Sequence, residues 1–205
     1  MRVLGATLLC ALIATGCTGE IDTGAGDDGD ARSGTDAPPG SGADAAPGSP
    51  DASNDEPGAL MGVTAAHNDV RAALGIPDLV WDPALAAVAQ AWVEQCVDNE
   101  SPIGLIDHNA GRSDDYPGYV GENIYGSGGN ATGPAAVALW VSEESDYDYA
   151  TNTCAPGKIC GHYTQVVWRD TERLGCGLHD CAGLTYGSSV VCNYSPGGNT
   201  GGRPY

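Results

Sequence analysis

Six cysteines (Cys96, Cys154, Cys160, Cys176, Cys181 and Cys192) are crowded into the last 147 residues of this 205-residue chain. An even number of cysteines in an exported domain points to three disulfides, which stabilise a domain beyond what its core alone supplies. A zinc site is the competing use. Cys154 and Cys160 are six apart and Cys176 and Cys181 five apart, and neither gives the C-x2-C spacing of a zinc knuckle.

Disulfides require an oxidising compartment, and the N-terminus offers a route to one. Met1-Arg2 precedes an apolar run from Val3 to Ala14 that is too short to span a bilayer, so residues 1–17 read as an export signal. The signal ends at Ala14-Thr15-Gly16-Cys17, where small residues before a cysteine resemble a bacterial lipobox, although Ala14 stands where leucine is usual. Lipidation of Cys17 is the expectation, and plain cleavage nearby the alternative. Either way the chain is extracytoplasmic, as a cell-envelope lipoprotein or a secreted protein. Residues 18–58 hold ten acids, nine glycines, five prolines and no aromatic residue. Such a segment buries too little apolar area to offset its ordering entropy and is expected to be a disordered tether.

Residues 59–205 carry all four tryptophans and all nine tyrosines, enough rings for the core of one compact domain in a chain with no phenylalanine. The whole chain has a net charge of -19, and this domain alone has 6 basic and 17 acidic side chains, or -11. That balance excludes nucleic acid as a partner and leaves membrane contact only to an N-terminal lipid. A monomer is expected.

Leu60, Val63, Val70 and Leu74 recur near the helical period, and Gly75 and Pro77 stop the run. Asp82-Pro83 starts a second helix, with Leu85, Val88, Ala89, Trp92 and Cys96 on one face. A third opens at Thr132-Gly133-Pro134 and runs to about Asp146, whereas Asn99 to Gly129 reads mostly as loop. After Cys160, the segments Tyr163–Trp168, Arg173–Leu178 and Ser188–Tyr194 read as strands, and the tail from Pro196 to Tyr205 as irregular. Helices first and strands later predict an antiparallel sheet covered by helices.

Four histidines lie in the domain. His108 sits in the loop-rich middle, and His162 leads the first expected strand. Glu122 lies between small residues in Gly121-Glu122-Asn123, while Glu143 follows Trp140 by three and can share its inward side. Glu144 shares a face with Val141 and Val137, so periodicity leaves the two acids undecided. His67, with Asn68 and Arg71, suits a structural hydrogen-bond network, and His179 suits a surface turn. The absence of G-x-S-x-G argues against a serine hydrolase, and Gly128-Gly129-Asn130 lacks the preceding strand that a phosphate loop needs.

Several longer stretches resemble the CAP superfamily, which groups cysteine-rich secretory proteins, venom antigen five and plant pathogenesis-related proteins of family one. They are His67 to Arg71, Gly121-Glu122-Asn123-Ile124, and Trp140 through Tyr149 to Cys154. The others are Cys160-Gly161-His162-Tyr163-Thr164-Gln165-Val166-Val167-Trp168, Leu174-Gly175-Cys176, and Val191 to Asn199 with Arg203-Pro204-Tyr205. The resemblance implies an α/β fold, a three-layer α-β-α sandwich with a central, mainly antiparallel sheet. It also implies a cleft holding His108, Glu122, Glu143 and His162, and disulfides Cys154–Cys160, Cys176–Cys192 and Cys96–Cys181. The fourteen residues from His108 to Glu122 look more like the cysteine-rich secretory branch than the plant one.

Two imidazoles with one or two carboxylates suit Zn²⁺ or another divalent cation. The helical H-E-x-x-H signature is absent. The implied functions are a binding module for a metal or a small hydrophobic ligand such as a sterol or lipid; a metal-dependent peptidase using Glu122 or Glu143; or a cell–cell interaction or defence-type protein. The four side chains can equally hydrogen-bond one another and only shape the cleft, so catalysis is not required by them.

Overall fold

A computed structural model of the chain describes residues 55–205 except Pro102; the signal, Cys17 and the tether as far as residue 54 lie outside the described residues. The elements are α1 (Val63–Ala73), β1 (Val80–Trp81), α2 (Pro83–Val93), β2 (Gly121–Ser127), α3 (Gly133–Ser142), β3 (Tyr147–Asp148), β4 (Thr153–Cys154), α4 (Gly161–Val166), β5 (Arg173–Asp180) and β6 (Ser188–Ser195). The main sheet has the order β1-β5-β6-β2, antiparallel except for the β1–β5 pair. Leu174, Cys176, Cys192 and Tyr194 face the layer of α1, α3 and α4 and share its core with Val63, Trp140, Tyr163 and Val166. On the opposite face α2 presses so close that a Cβ at Gly175 or Gly177 would strike its backbone at Ala86 or Gln90, so only glycine fits there. The expected three-layer sandwich is the observed one.

The three disulfides are Cys96–Cys181, Cys154–Cys160 and Cys176–Cys192. Cys176 and Cys192 are cross-strand partners on β5 and β6. Asp82 caps α2 by accepting from Ala84 N and Leu85 N. Burial works to raise the Asp82 pKa, but the Tyr116 hydroxyl, these two amides and Arg173 outweigh it and hold the carboxyl below its usual value.

Four expectations need correction. Tyr163–Trp168 is not a strand: its β-branched residues suggested one, but residues 161–166 form α4 because distant groups cap both of its ends. Gly121–Ser127 is not loop but β2, whose seven residues each pair with β6. The third helix stops at Ser142 and tightens into a 3-10 turn over Glu143–Asp146. His179 lies within β5 rather than on a turn. Glu56, just before the expected domain start at residue 59, packs onto the first helix. Glu56 is buried, and its carboxylate accepts from Gly62 N at 2.6 Å and Thr64 N at 2.8 Å. It thereby serves the first turn of α1, whose own N-cap, Gly62, has no side chain to do so.

Arg71 of α1 is fully buried. Its Nε donates to Pro77 O, Nη1 to Val166 O and Trp168 O, and Nη2 to Arg169 O and Thr171 O. Burial lowers its pKa to about 10, so the cation persists at neutral pH. His67, one turn earlier, is also fully buried. Its Nδ1 lies 2.7 Å from Val63 O and its Nε2 lies 2.9 Å from the Tyr194 hydroxyl. Only a neutral ring can donate at Nδ1 and accept at Nε2, and burial brings its pKa down to about 4.

Two outcomes follow. Arg71→Met should lower the unfolding free energy in urea by about 3 kcal/mol or more, because several buried carbonyls lose their donors together; a loss below about 1 kcal/mol would show that they find other partners. His67 binds its proton near pH 6.5 when unfolded but only near pH 4 when folded, so unfolding takes up a proton between these values. Stability should therefore fall by about 3 kcal/mol as pH drops from about 6.5 to about 4 and then level off, with a flatter profile for His67→Gln.

Candidate functional site

The site is built from four elements: the loop after α2, which carries His108; β2, which carries Glu122; the turn after α3, which carries Glu143; and the start of α4, which carries His162. His108 Nδ1 is 2.7 Å from Glu122 Oε1, which also accepts from Asn109 N at 2.9 Å. His162 Nδ1 is 2.6 Å from Glu143 Oε1, and Glu143 Oε2 accepts from the backbone N–H of His162 and Tyr163. Each acid thus grips an imidazole and a neighbouring amide at once. Glu143 also serves as the anionic cap of α4, which has no side-chain cap of its own.

This geometry resolves the choice left open by periodicity. Glu143 holds His162, while Glu144 accepts instead from the Tyr163 hydroxyl at 3.3 Å. Because a carboxylate accepts hydrogen bonds, each Nδ1 carries the proton, and a neutral ring then has its lone pair on Nε2. His162 is oriented further by Trp140, whose indole stacks on it with centroids 6.3 Å apart and planes 17° apart. Trp140 Nε1 in turn donates to Ile124 O.

His108, Glu122 and His162 line one cavity of about 660 Å³, together with Leu105, Ile124 and Leu139. A cavity of about 730 Å³ beside α2 is bounded by Pro57, Leu60, Trp81, Ala86 and Leu178 and contains no histidine. It therefore has no part in this chemistry. The structure brings the four expected residues together as two acid–imidazole pairs, His108 with Glu122 and His162 with Glu143. Among the described residues, no group of three or more His, Cys, Asp or Glu is arranged to hold a metal. The atoms left outside these pairs are the two ring Nε2 atoms and Glu122 Oε2, which is buried without a hydrogen-bond partner among the described residues.

Two residues outside the expected set complete the site. Asn123 Nδ2 donates to His162 O at 3.1 Å and to the Tyr194 hydroxyl at 3.3 Å. With the Tyr194–His67 bond, this forms a buried chain from α1 to the start of α4. Both residues lie inside motifs visible in the sequence, beside Glu122 and Cys192, but nothing local announces that they touch.

The profile described as CAP, cysteine-rich secretory protein family, matches residues 64–194. The chain belongs to the CAP family. It is 46% identical over 142 residues to pathogenesis-related leaf protein 4 of Solanum lycopersicum, covering 69% of this chain and 80% of that one. It is 42% identical over 141 residues to pathogenesis-related protein 1 of Arabidopsis thaliana, covering 68% and 78%. These similarities lie with plant proteins, despite the longer spacing from His108 to Glu122. Among solved structures, this CAP domain is similar to venom allergen-like protein 4 of Schistosoma mansoni, with a TM-score of 0.56, 26% identity, and coverage of 73% of this chain and 94% of that one. It is also similar to NaASP2 solved with Zn²⁺, with a TM-score of 0.54, 25% identity and coverage of 77% and 90%. The family and the three disulfides agree on an extracytoplasmic protein.

Glu143→Ala removes the acceptor for three N–H groups and should lower stability by about 2–3 kcal/mol. It should also release the His162 tautomer, read from its ring ¹⁵N shifts. A stable variant with an unchanged Nδ1–H signal would contradict this account.

Proposed function

We propose that this CAP domain is an extracytoplasmic binding module whose cleft takes a divalent cation, such as Zn²⁺, at His108 and His162, with an apolar ligand beside it. The observation that carries the reading is the paired arrangement of the imidazoles. Each has Nδ1 engaged by a buried or half-buried carboxylate, the second-shell arrangement that makes Nε2 a good metal ligand. Two imidazoles fit an open, modestly held ion rather than the three or four protein ligands of a structural or catalytic zinc. A bound cation would supply Lewis acidity; the chain's own residues fix both rings and wall the site with apolar side chains. That NaASP2 was solved with Zn²⁺ supports the choice of ion.

Lipid attachment at Cys17 belongs to the same proposal and is supported by the Ala14-Thr15-Gly16-Cys17 sequence, with the acidic segment after it as spacer. The names of the plant relatives support a defence-type role for the module. A metal-dependent peptidase finds less support, because both oxygens of Glu143 and Oε1 of Glu122 are engaged by N–H donors.

Calorimetric titration of the purified protein with Zn²⁺ should give a single site that His162→Ala or His108→Ala weakens by about tenfold or more. An unchanged affinity in either variant removes that histidine from the ligand set.

A further inference from the structure

The cleft wall contains something that neither a metal nor an apolar molecule uses. Glu122, Asn123, Ile124, Tyr125 and Gly126 all line the cavity, and they are consecutive residues of β2. Side chains alternate across a strand, so a cavity over one face would touch every second residue. Five in a row mean that the cavity runs along the edge of the strand. β2 is the outermost strand in the order β1-β5-β6-β2, so among the described residues this edge has no strand beside it.

The ladder's phase shows which groups face the cleft. In antiparallel pairing, alternate residues turn both N–H and C=O toward the partner or away from it. Ile124 O accepts from Trp140 Nε1, so Ile124 turns away from β6. Two contacts on the far side of the sheet have the same phase. Leu174 O accepts from Asp82 N, and the main chain of Leu178 is bonded at both groups by the Gln90 side chain. Through the register Ile124↔Val191↔Gly177, all three contacts require Glu122, Ile124 and Gly126 to direct their main-chain groups outward. The Ile124 carbonyl is taken by Trp140. The Ile124 N–H and the Gly126 N–H and C=O have no hydrogen-bond partner among the described loops and side chains.

We propose that the ligand of this cleft is an extended polypeptide that adds to the edge of β2 as a further strand, carrying apolar and basic side chains. The inference rests on the cleft of the proposed function and names the class of ligand it takes. A strand is the partner whose own N–H and C=O groups match those of an open edge; a sterol or acyl chain would leave them unpaired. Exposed Leu139 and Ile159, with Leu105, line the cleft and offer apolar contact to alternate side chains. Glu100 and Asp107 in the lining, within a domain of net charge -11, favour a cationic segment over an acidic one.

The test is a synthetic library of peptides of about eight residues, titrated against the purified protein with binding read by fluorescence anisotropy. Binders should contain Lys or Arg, and replacing these with Glu should weaken them about tenfold or more. N-methylation of alternate peptide amides should abolish binding in one phase and be tolerated in the other. The Ile124 and Gly126 amides should gain about tenfold or more in hydrogen-exchange protection on binding. The proposal is overturned if no peptide binds, if methylation in both phases is tolerated, if protection arises elsewhere, or if only fatty acid or sterol occupies the cleft. Repeating the titration on His162→Ala separates the two readings. Peptide binding that persists where Zn²⁺ binding is absent from both proteins sinks the metal and leaves the strand; Zn²⁺ binding without peptide does the reverse.

Discussion

A guanidinium buried without a carboxylate against it is a costly object, and this fold is organised around satisfying one. Arg71 donates from all three nitrogens to five carbonyls, that of Pro77 before β1 and those of Val166, Trp168, Arg169 and Thr171 at the end of α4 and in the turn toward β5. A helix of six residues is too short to hold itself together. It persists because a cation meets its C-terminal end while Glu143 meets its N-terminal end, both favourable to the peptide dipoles. His162 lies in the first turn of that helix. Its position is therefore set by a residue 95 positions before Val166 and by an acid 19 positions before itself.

The cleft repeats one device twice. An acid receives a ring Nδ1–H and a nearby main-chain N–H, so ring and backbone are oriented together and the tautomer is fixed without a separate orienting residue. The two halves differ in exposure. The Glu122 side chain is buried beneath a His108 that is 58% exposed, whereas both members of the other pair are half-buried. One imidazole is thus open to solvent and the other is set deeper against Trp140.

What could be read from the sequence follows from the range of the forces involved. Asp82-Pro83 and Thr132-Gly133-Pro134 announce their helices because each cap lies within three residues of the amides it serves. The segment from Tyr163 to Trp168 could not be read as helix, since its determinants lie in α1 and after α3. β2 was hidden by its glycines. Gly121 and Gly126 weaken a strand in isolation, yet here they admit Gln165, and Leu105 with Tyr186, at distances that a Cβ would forbid. The four cleft residues were legible through resemblance to a family, but their pairing, His108 with Glu122 and His162 with Glu143, is a property of the folded backbone.

Glu56 ties the segment before α1 to the folded domain. It lies in a stretch whose composition matches the acidic segment before it, yet its carboxylate closes the start of α1, which carries both His67 and Arg71. A protease or an expression boundary that cuts beyond it strips the anion from that helix, so the usable limit of truncation is a single side chain rather than a compositional border.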